Sequence, residues 1–275
     1  VASPVRRDPG VVGTVTLGPN RLKPNRLKAA FADETAGVQW GLFLGLADPV
    51  AAEISAGAGF DVLVIDTEHA PNDLRTVLAQ LQAIAAYPVE AAVRVWHDDP
   101  ATVKRVLDLG ARTIVLPMIE SAEQARRAVA ATRYPPEGIR GVSSARAAQW
   151  GRIEGYHAAA ADQLCVVVQI ETAQSLDHLE EICSVEGVDV AFIGPMDLAT
   201  SLGHLAGGTH PDVVAVVESA IARIAATGVV AGVLAATPEL AHRYVAAGAR
   251  FVAAGVDTAI LASATTALRR SMSPS

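Results

Sequence analysis

The sequence predicts a (β/α)8 barrel, and three observations carry that reading. From Gly41 onward, eight short apolar runs alternate with longer amphipathic stretches. The runs are rich in Val, Ile, Leu and Ala, and aromatic residues make up only 4% of the chain. That composition suits parallel strands buried under helices. Polar residues cluster where the runs end: Asp66, Glu68 and His69 after DVLVI, Arg94 in AAVRV, Gln169 and Glu171 in CVVVQIE, and Asp197 in VAFIGPMDL. An ionisable group ending a buried strand is costly unless it is paired or metal-bound. When several strands end this way on one side, a barrel mouth explains them together. An open doubly wound sheet is the alternative, but no G-x-G-x-x-G follows the first run.

Residues 1–35 read as an irregular leader, and residues 36–275 as a single barrel domain. The leader mixes Pro, Gly, Arg and Val without period and then carries PNRLK in tandem over 19–28. An appended leader or a functional basic arm accounts for the repeat. GLFLGL at 41–46 is the first strand, and the nearly all-aliphatic DVLVID at 61–66 the second. DLRTVLAQLQAIAAY at 73–87 has its apolar residues at helical spacing and leads to the strand AAVRV at 91–95. DPATVKRVLDLG at 99–110 reads as a helix stopped by Gly110. The strand TIVLPM follows at 113–118, then a helix over 121–134 that Ser121 caps with Gln124 nearby. CVVVQIE at 165–171 and VAFIG at 190–194 are strands on either side of a helix at 175–182. A helix over 211–228, a strand at 229–234, a Thr237-capped helix at 237–249, a strand at 250–256 and a helix at 261–272 complete the alternation.

With 275 residues, 51% of them hydrophobic, the chain can bury one large core. Its net charge of -7 argues against a nucleic-acid or anionic-membrane surface, so an anionic ligand needs a local cation. Cys165 and Cys183 make neither a disulfide framework nor a cysteine zinc site. No apolar run approaches the ~18 residues of a membrane span, and no signal-peptide pattern opens the chain, so a cytoplasmic protein is expected.

Glu171 and Asp197 end adjacent strands and carry the hard oxygen donors that Mg²⁺ or Mn²⁺ prefers. Helix capping is the competing role for both. Arg94 offers either a fork for a carboxylate or enolate oxygen, or an internal partner for Asp66 or Glu68. Asp66 and His69 are spaced to hydrogen-bond across a tight turn as a general-base pair, and a surface histidine is the other reading. The only lysines are Lys23, Lys28 and Lys104, none at a strand terminus, which disfavours Schiff-base chemistry. No G-x-S-x-G elbow or P-loop is present. GIRGV at 138–142, with Ser143, Ser144 and Trp150 beyond it, is either a contact for a substrate carboxylate or an ordinary loop.

The run from GLFLGLADPV through DTEHAPNDLRTVLAQLQAI, with RYPPEGIRGV, VQIET, FIGPMDL and GARFVAAGVDT, resembles the HpcH/HpaI metal-dependent pyruvate aldolases over residues 36–270. The resemblance implies a barrel of the phosphoenolpyruvate/pyruvate type and a class II aldolase. Such an enzyme cleaves 4-hydroxy-2-oxoacids to pyruvate and an aldehyde, as in aromatic-compound catabolism. It implies Mg²⁺, Mn²⁺ or Co²⁺ as cofactor and a homo-oligomer, usually a hexamer built as a dimer of trimers, whose final helix packs on a neighbour. By resemblance Glu171 and Asp197 are the metal ligands, Arg94 stabilises the enolate, and His69 with Asp66 is the base pair acting through water. Gln169, Gly194 and Pro195 would contact the keto acid, and Asp108 matches a family aspartate near a subunit boundary. Met196 stands where relatives often have a small residue, which implies a narrower pocket, and SSARAAQWGR looks short by about two residues. A keto-acid or acyl-CoA binding barrel, or a lyase of the citrate-lyase-β type, is the alternative reading.

Overall fold

The computed structural model describes residues 21–272. Eight strands close a parallel barrel: β1 (Gln39–Leu44), β2 (Val62–Asp66), β3 (Glu90–Arg94), β4 (Thr113–Leu116), β5 (Cys165–Ile170), β6 (Val190–Ile193), β7 (Val230–Leu234) and β8 (Phe251–Val256). Each pairs with the next, and β8 returns to β1 with a register shift between Gly41 and Phe43. Outside lie α1 (Arg26–Ala32), α2 (Pro49–Ala56), α3 (Leu74–Ile84), α4 (Pro100–Asp108), α5 (Ala122–Thr132), α6 (Tyr156–Ala159), α7 (Ala173–Asp177) and α8 (Leu179–Cys183). The set ends with α9 (Pro195–Ser201), α10 (Pro211–Ala226), α11 (Pro238–Ala246) and α12 (Asp257–Ser271).

Strand alternation sorts the side chains into two shells. One cluster fills the barrel: Phe43, Val62, Val64, Ala92, Val115, Cys165, Val167, Val190, Phe192, Phe251 and Ala253. The residues between them, such as Leu63, Ile65, Val93, Ile114, Val166 and Val168, face the helices in the larger cluster. The same period carries Asp66, Arg94, Gln169 and then Glu171 to the inner side at the carboxyl ends of β2, β3 and β5. It also places Glu90 and Thr113 inside at the opposite end, where Thr113 Oγ1 donates to Glu90 Oε1 at 3.3 Å.

The expected irregular leader is corrected over part of its length: residues 26–32 are α1. Asn25 caps it by accepting from Lys28 N, and its own amide donates to Thr113 Oγ1 at 2.9 Å and to the Arg112 carbonyl at 3.0 Å. Leu27, 1% exposed, enters the inner cluster and plugs the amino-terminal end of the barrel. Lys28 pairs with Asp189 at 2.7 Å, and the Arg250 guanidinium donates to three carbonyls at the end of α1. A seven-residue helix with one buried apolar side chain has too little periodicity to stand out in sequence. The second PNRLK copy is therefore part of the barrel floor, while the start of the first copy lies outside the described residues. Leu27→Ala is expected to destabilise the fold by about 2–5 kcal/mol, the cost of an unfilled core site. Urea unfolding measures it, with exposed Glu34→Ala expected to stay within about 0.5 kcal/mol of the parent.

Candidate active site

Asp66 and Arg94 are register partners on β2 and β3, and both side chains point inward. The result is a bidentate ion pair: Arg94 Nε donates to Asp66 Oδ1 at 2.8 Å and Nη2 to Oδ2 at 2.7 Å. Nη1 lies 3.0 Å from Glu68 Oε2, and the guanidinium sits 5.0 Å above the centre of the Phe43 ring. Burial pushes the Asp66 carboxyl up, but the Arg94 bonds and charge outweigh it and hold the group below its ordinary value. Glu68 lacks such a fork, and burial raises it despite Arg94.

This pairing corrects the expected Asp66–His69 dyad. Asp66 Oδ1 accepts from the backbone N–H groups of Glu68 at 3.0 Å and His69 at 3.4 Å, which shapes the turn after β2. The carboxylate thus holds the His69 main chain, and the imidazole Nε2 instead stands 3.8 Å from Glu68 Oε2. A bidentate guanidinium outcompetes an imidazole for the same two oxygens. Asn72 finishes the turn by donating to the Asp66 carbonyl at 2.7 Å.

Glu171 follows β5 and is 2% exposed. Its Oε1 accepts from Met118 N at 2.7 Å, and its Oε2 from Gln169 Nε2 at 3.0 Å. Met118 has a φ of 54°, a left-handed position in the turn after β4. Burial pushes the Glu171 carboxyl up to about 7; the Met118 bond opposes the rise, and the charges of Glu68 and Asp197 add to it. Gly194 closes over this group, since a Cβ there would lie 2.6 Å from Glu171 Oε2. Asp197 sits in the first turn of α9, behind Pro195 at the helix start. A cleft of about 140 Å³ brings together Arg94, His69, Gln169, Gly194, Pro195, Met196 and Asp197 over a floor of Phe43 and Phe192.

The donors suit a divalent cation. Glu171 is buried, unpaired by any cation within 4.0 Å among the described residues, and raised by neighbouring negative charge. Gln169 Oε1 is buried without a hydrogen-bond partner. Carboxylate and amide oxygens of this kind fit Mg²⁺ or Mn²⁺ better than softer ions.

The sequence profile described as HpcH/HpaI aldolase/citrate lyase matches residues 39–264. The chain belongs to this family. Among HpcH/HpaI relatives, a hydroxypyruvate/pyruvate aldolase of Deinococcus radiodurans is 52% identical, over 92% of this chain and 93% of its own length. A 4-hydroxy-2-oxo-heptane-1,7-dioate aldolase of Escherichia coli is 51% identical, over 89% of this chain and 93% of its own. The crystal structure of a family protein from Burkholderia cenocepacia J2315 superimposes with a TM-score of 0.84 at 44% identity. It covers 90% of this chain and 100% of that one.

Other predicted positions fall away from the mouth of this HpcH/HpaI barrel. Arg140 of GIRGV is buried and donates to Asp108 at 3.1 Å. Trp150 borders a cleft with Arg21, Gly110 and Arg112 at the amino-terminal end of the strands. The aromatic floor and the Met118 N–H had no sequence signal, because each depends on barrel closure or on a single turn. Asp257, the first residue of α12, accepts from Gly45 N at 2.7 Å and Leu46 N at 3.3 Å across the β1–β8 seam, and the sequence did not single it out.

Proposed function

We propose that the protein is a divalent-metal-dependent aldolase that cleaves 4-hydroxy-2-oxoacids to pyruvate and an aldehyde, and runs the reverse addition. The observation that carries this reading is Glu171, a buried carboxylate with no paired cation among the described residues, at the same mouth as Arg94. The aldolase names of relatives that are half identical over nine-tenths of the chain support it. Glu171 and Asp197 would hold the cation, which when bound would supply positive charge to stabilise a 2-oxo acid and its enolate.

Arg94 turns its guanidinium to the oxygen that gains charge as the enolate forms, and Asp66 and Glu68 fix its plane. Gln169 holds Glu171 through Nε2 and keeps Oε1 for the site. Gly194 and Pro195 border the keto acid. His69, 61% exposed at the rim, takes the proton of the 4-hydroxyl in cleavage and returns it in synthesis. Phe43 and Phe192 keep water from beneath the enolate. Met196, which lines the cleft, biases the aldehyde side towards small acceptors. Lysine takes no part: Lys23 lies beside Glu90 and Arg112 at the barrel floor, Lys28 is paired there with Asp189, and Lys104 rides on α4. Ile260, Leu261 and Leu268, exposed on α12, support a homo-oligomer in which that helix finds a partner.

Incubation with a panel of 4-hydroxy-2-oxoacids and Mg²⁺, read by coupled reduction of the released pyruvate, tests the reading. Pyruvate from at least one member is expected. A barrel that only binds keto acids releases none from any member, and that result overturns the assignment.

A further inference from the structure

We propose that His204 and His210, on the loop joining α9 to α10, and Asp212, in the first turn of α10, form a second cation site for a transition metal of the Zn²⁺ class. One donor atom from each of the three side chains lies within 4.8 Å of the other two. The imidazole rings are 4.2 Å apart between centres and inclined by 30°, and His210 Nδ1 stands 3.7 Å from Asp212 Oδ2. The set is separate from the barrel mouth, whose donors lie at the ends of β5 and β6.

The main chain fixes these positions. His204 N donates to the Ala199 carbonyl, Gly207 N to that of His204, and His210 N to that of Gly207, each at 2.8 Å. Asp212 N donates to His210 Nδ1 at 3.3 Å, which caps α10, holds the ring and leaves Nε2 as the His210 nitrogen for the ion. The loop is therefore folded on itself, with both imidazoles on one side. Two rings this close repel when both are protonated, whereas a shared cation draws them together.

Donor chemistry sets the class of ion. Two imidazoles and a carboxylate favour Zn²⁺, Ni²⁺ or Cu²⁺ over Mg²⁺, in contrast to the oxygen donors of the mouth. Donors around a tetrahedral Zn²⁺ stand roughly 3.4 Å apart, so side-chain rotation within the loop suffices to close the set. Three protein ligands leave the fourth position to water. A bound ion would brace the loop against the pocket wall, because Gly208 packs so closely on α9 that a Cβ there would lie 2.9 Å from Met196 Sδ.

Equilibrium dialysis against Zn²⁺, followed by metal analysis, counts ions per chain. His204→Phe keeps a ring against His210 and removes both nitrogens; Asp212→Asn removes the carboxylate charge. Each is expected to bind one Zn²⁺ fewer than the parent. The Glu171→Gln/Asp197→Asn variant, which strips the mouth, is expected to retain that ion and to gain thermal stability from Zn²⁺. Adding His204→Phe to it should abolish both effects. Equal Zn²⁺ content in the parent, His204→Phe and Asp212→Asn overturns the loop site, as does complete loss of Zn²⁺ in the mouth variant alone. Neither result depends on aldol cleavage.

Discussion

Dialysis against EDTA is expected to abolish pyruvate release, and Mg²⁺, Mn²⁺ or Co²⁺ to restore it. The physical reason lies in the charge balance of the mouth. Asp66, Glu68, Glu171 and Asp197 meet around Arg94, and two of these acids already share the guanidinium. Among the described residues Glu171 is left with neutral donors, a backbone N–H and an amide, against the cost of burial. A dication held there would remove that cost and would supply positive charge for enolate formation. Its loss is worth several kcal/mol of transition-state stabilisation, a fall of at least about a hundredfold. The assay is initial rate before chelation, after it, and after each ion is added back. Undiminished turnover by protein shown to be metal-free would refute the role given to Glu171 and Asp197.

All eight strands were legible, because each is a short aliphatic run between polar segments and parallel strands buried on both faces need nothing more. Their limits moved by a residue or two: the run at 41–46 is Gln39–Leu44, and 113–118 is Thr113–Leu116. Elements whose stability comes from one contact were not legible. Helix α1 exists because Leu27 finds the open end of the barrel, and α9 because Pro195 starts a helix just after β6. The mouth follows the same rule. Alternation along a strand tells which residues share a face, so Asp66, Arg94, Gln169 and Glu171 could be grouped from sequence. Which of them bond together depends on register between strands, and the Asp66–Arg94 pairing across β2 and β3 took Asp66 away from the His69 ring. Residue spacing in a turn favours a local partner; closure of the barrel supplied a stronger one from 28 positions away.

That pairing shapes the second large effect, expected for Arg94→Ala. If the guanidinium faces the developing enolate oxygen, kcat should fall by about 10²–10³-fold, as for a lost oxyanion donor. Truncation also leaves Asp66 and Glu68 without their shared cation, and breaking a buried ion pair costs about 3–5 kcal/mol of stability. The two losses must be measured apart, kcat at saturating substrate and stability by urea unfolding. Asp66→Asn supplies the control. It removes the strong partner while leaving Arg94 in place, so a purely structural role for Arg94 predicts equal loss of activity in both variants. A role at the oxygen predicts that Asp66→Asn keeps much more turnover than Arg94→Ala at similar stability. Arg94→Lys separates charge from shape. A lysine retains one positive charge but not the fork that grips both Asp66 oxygens, so partial recovery of kcat with little recovery of stability is expected. A parent-like kcat in Arg94→Ala would place the guanidinium outside the chemistry and leave it as the clamp of the β2 turn.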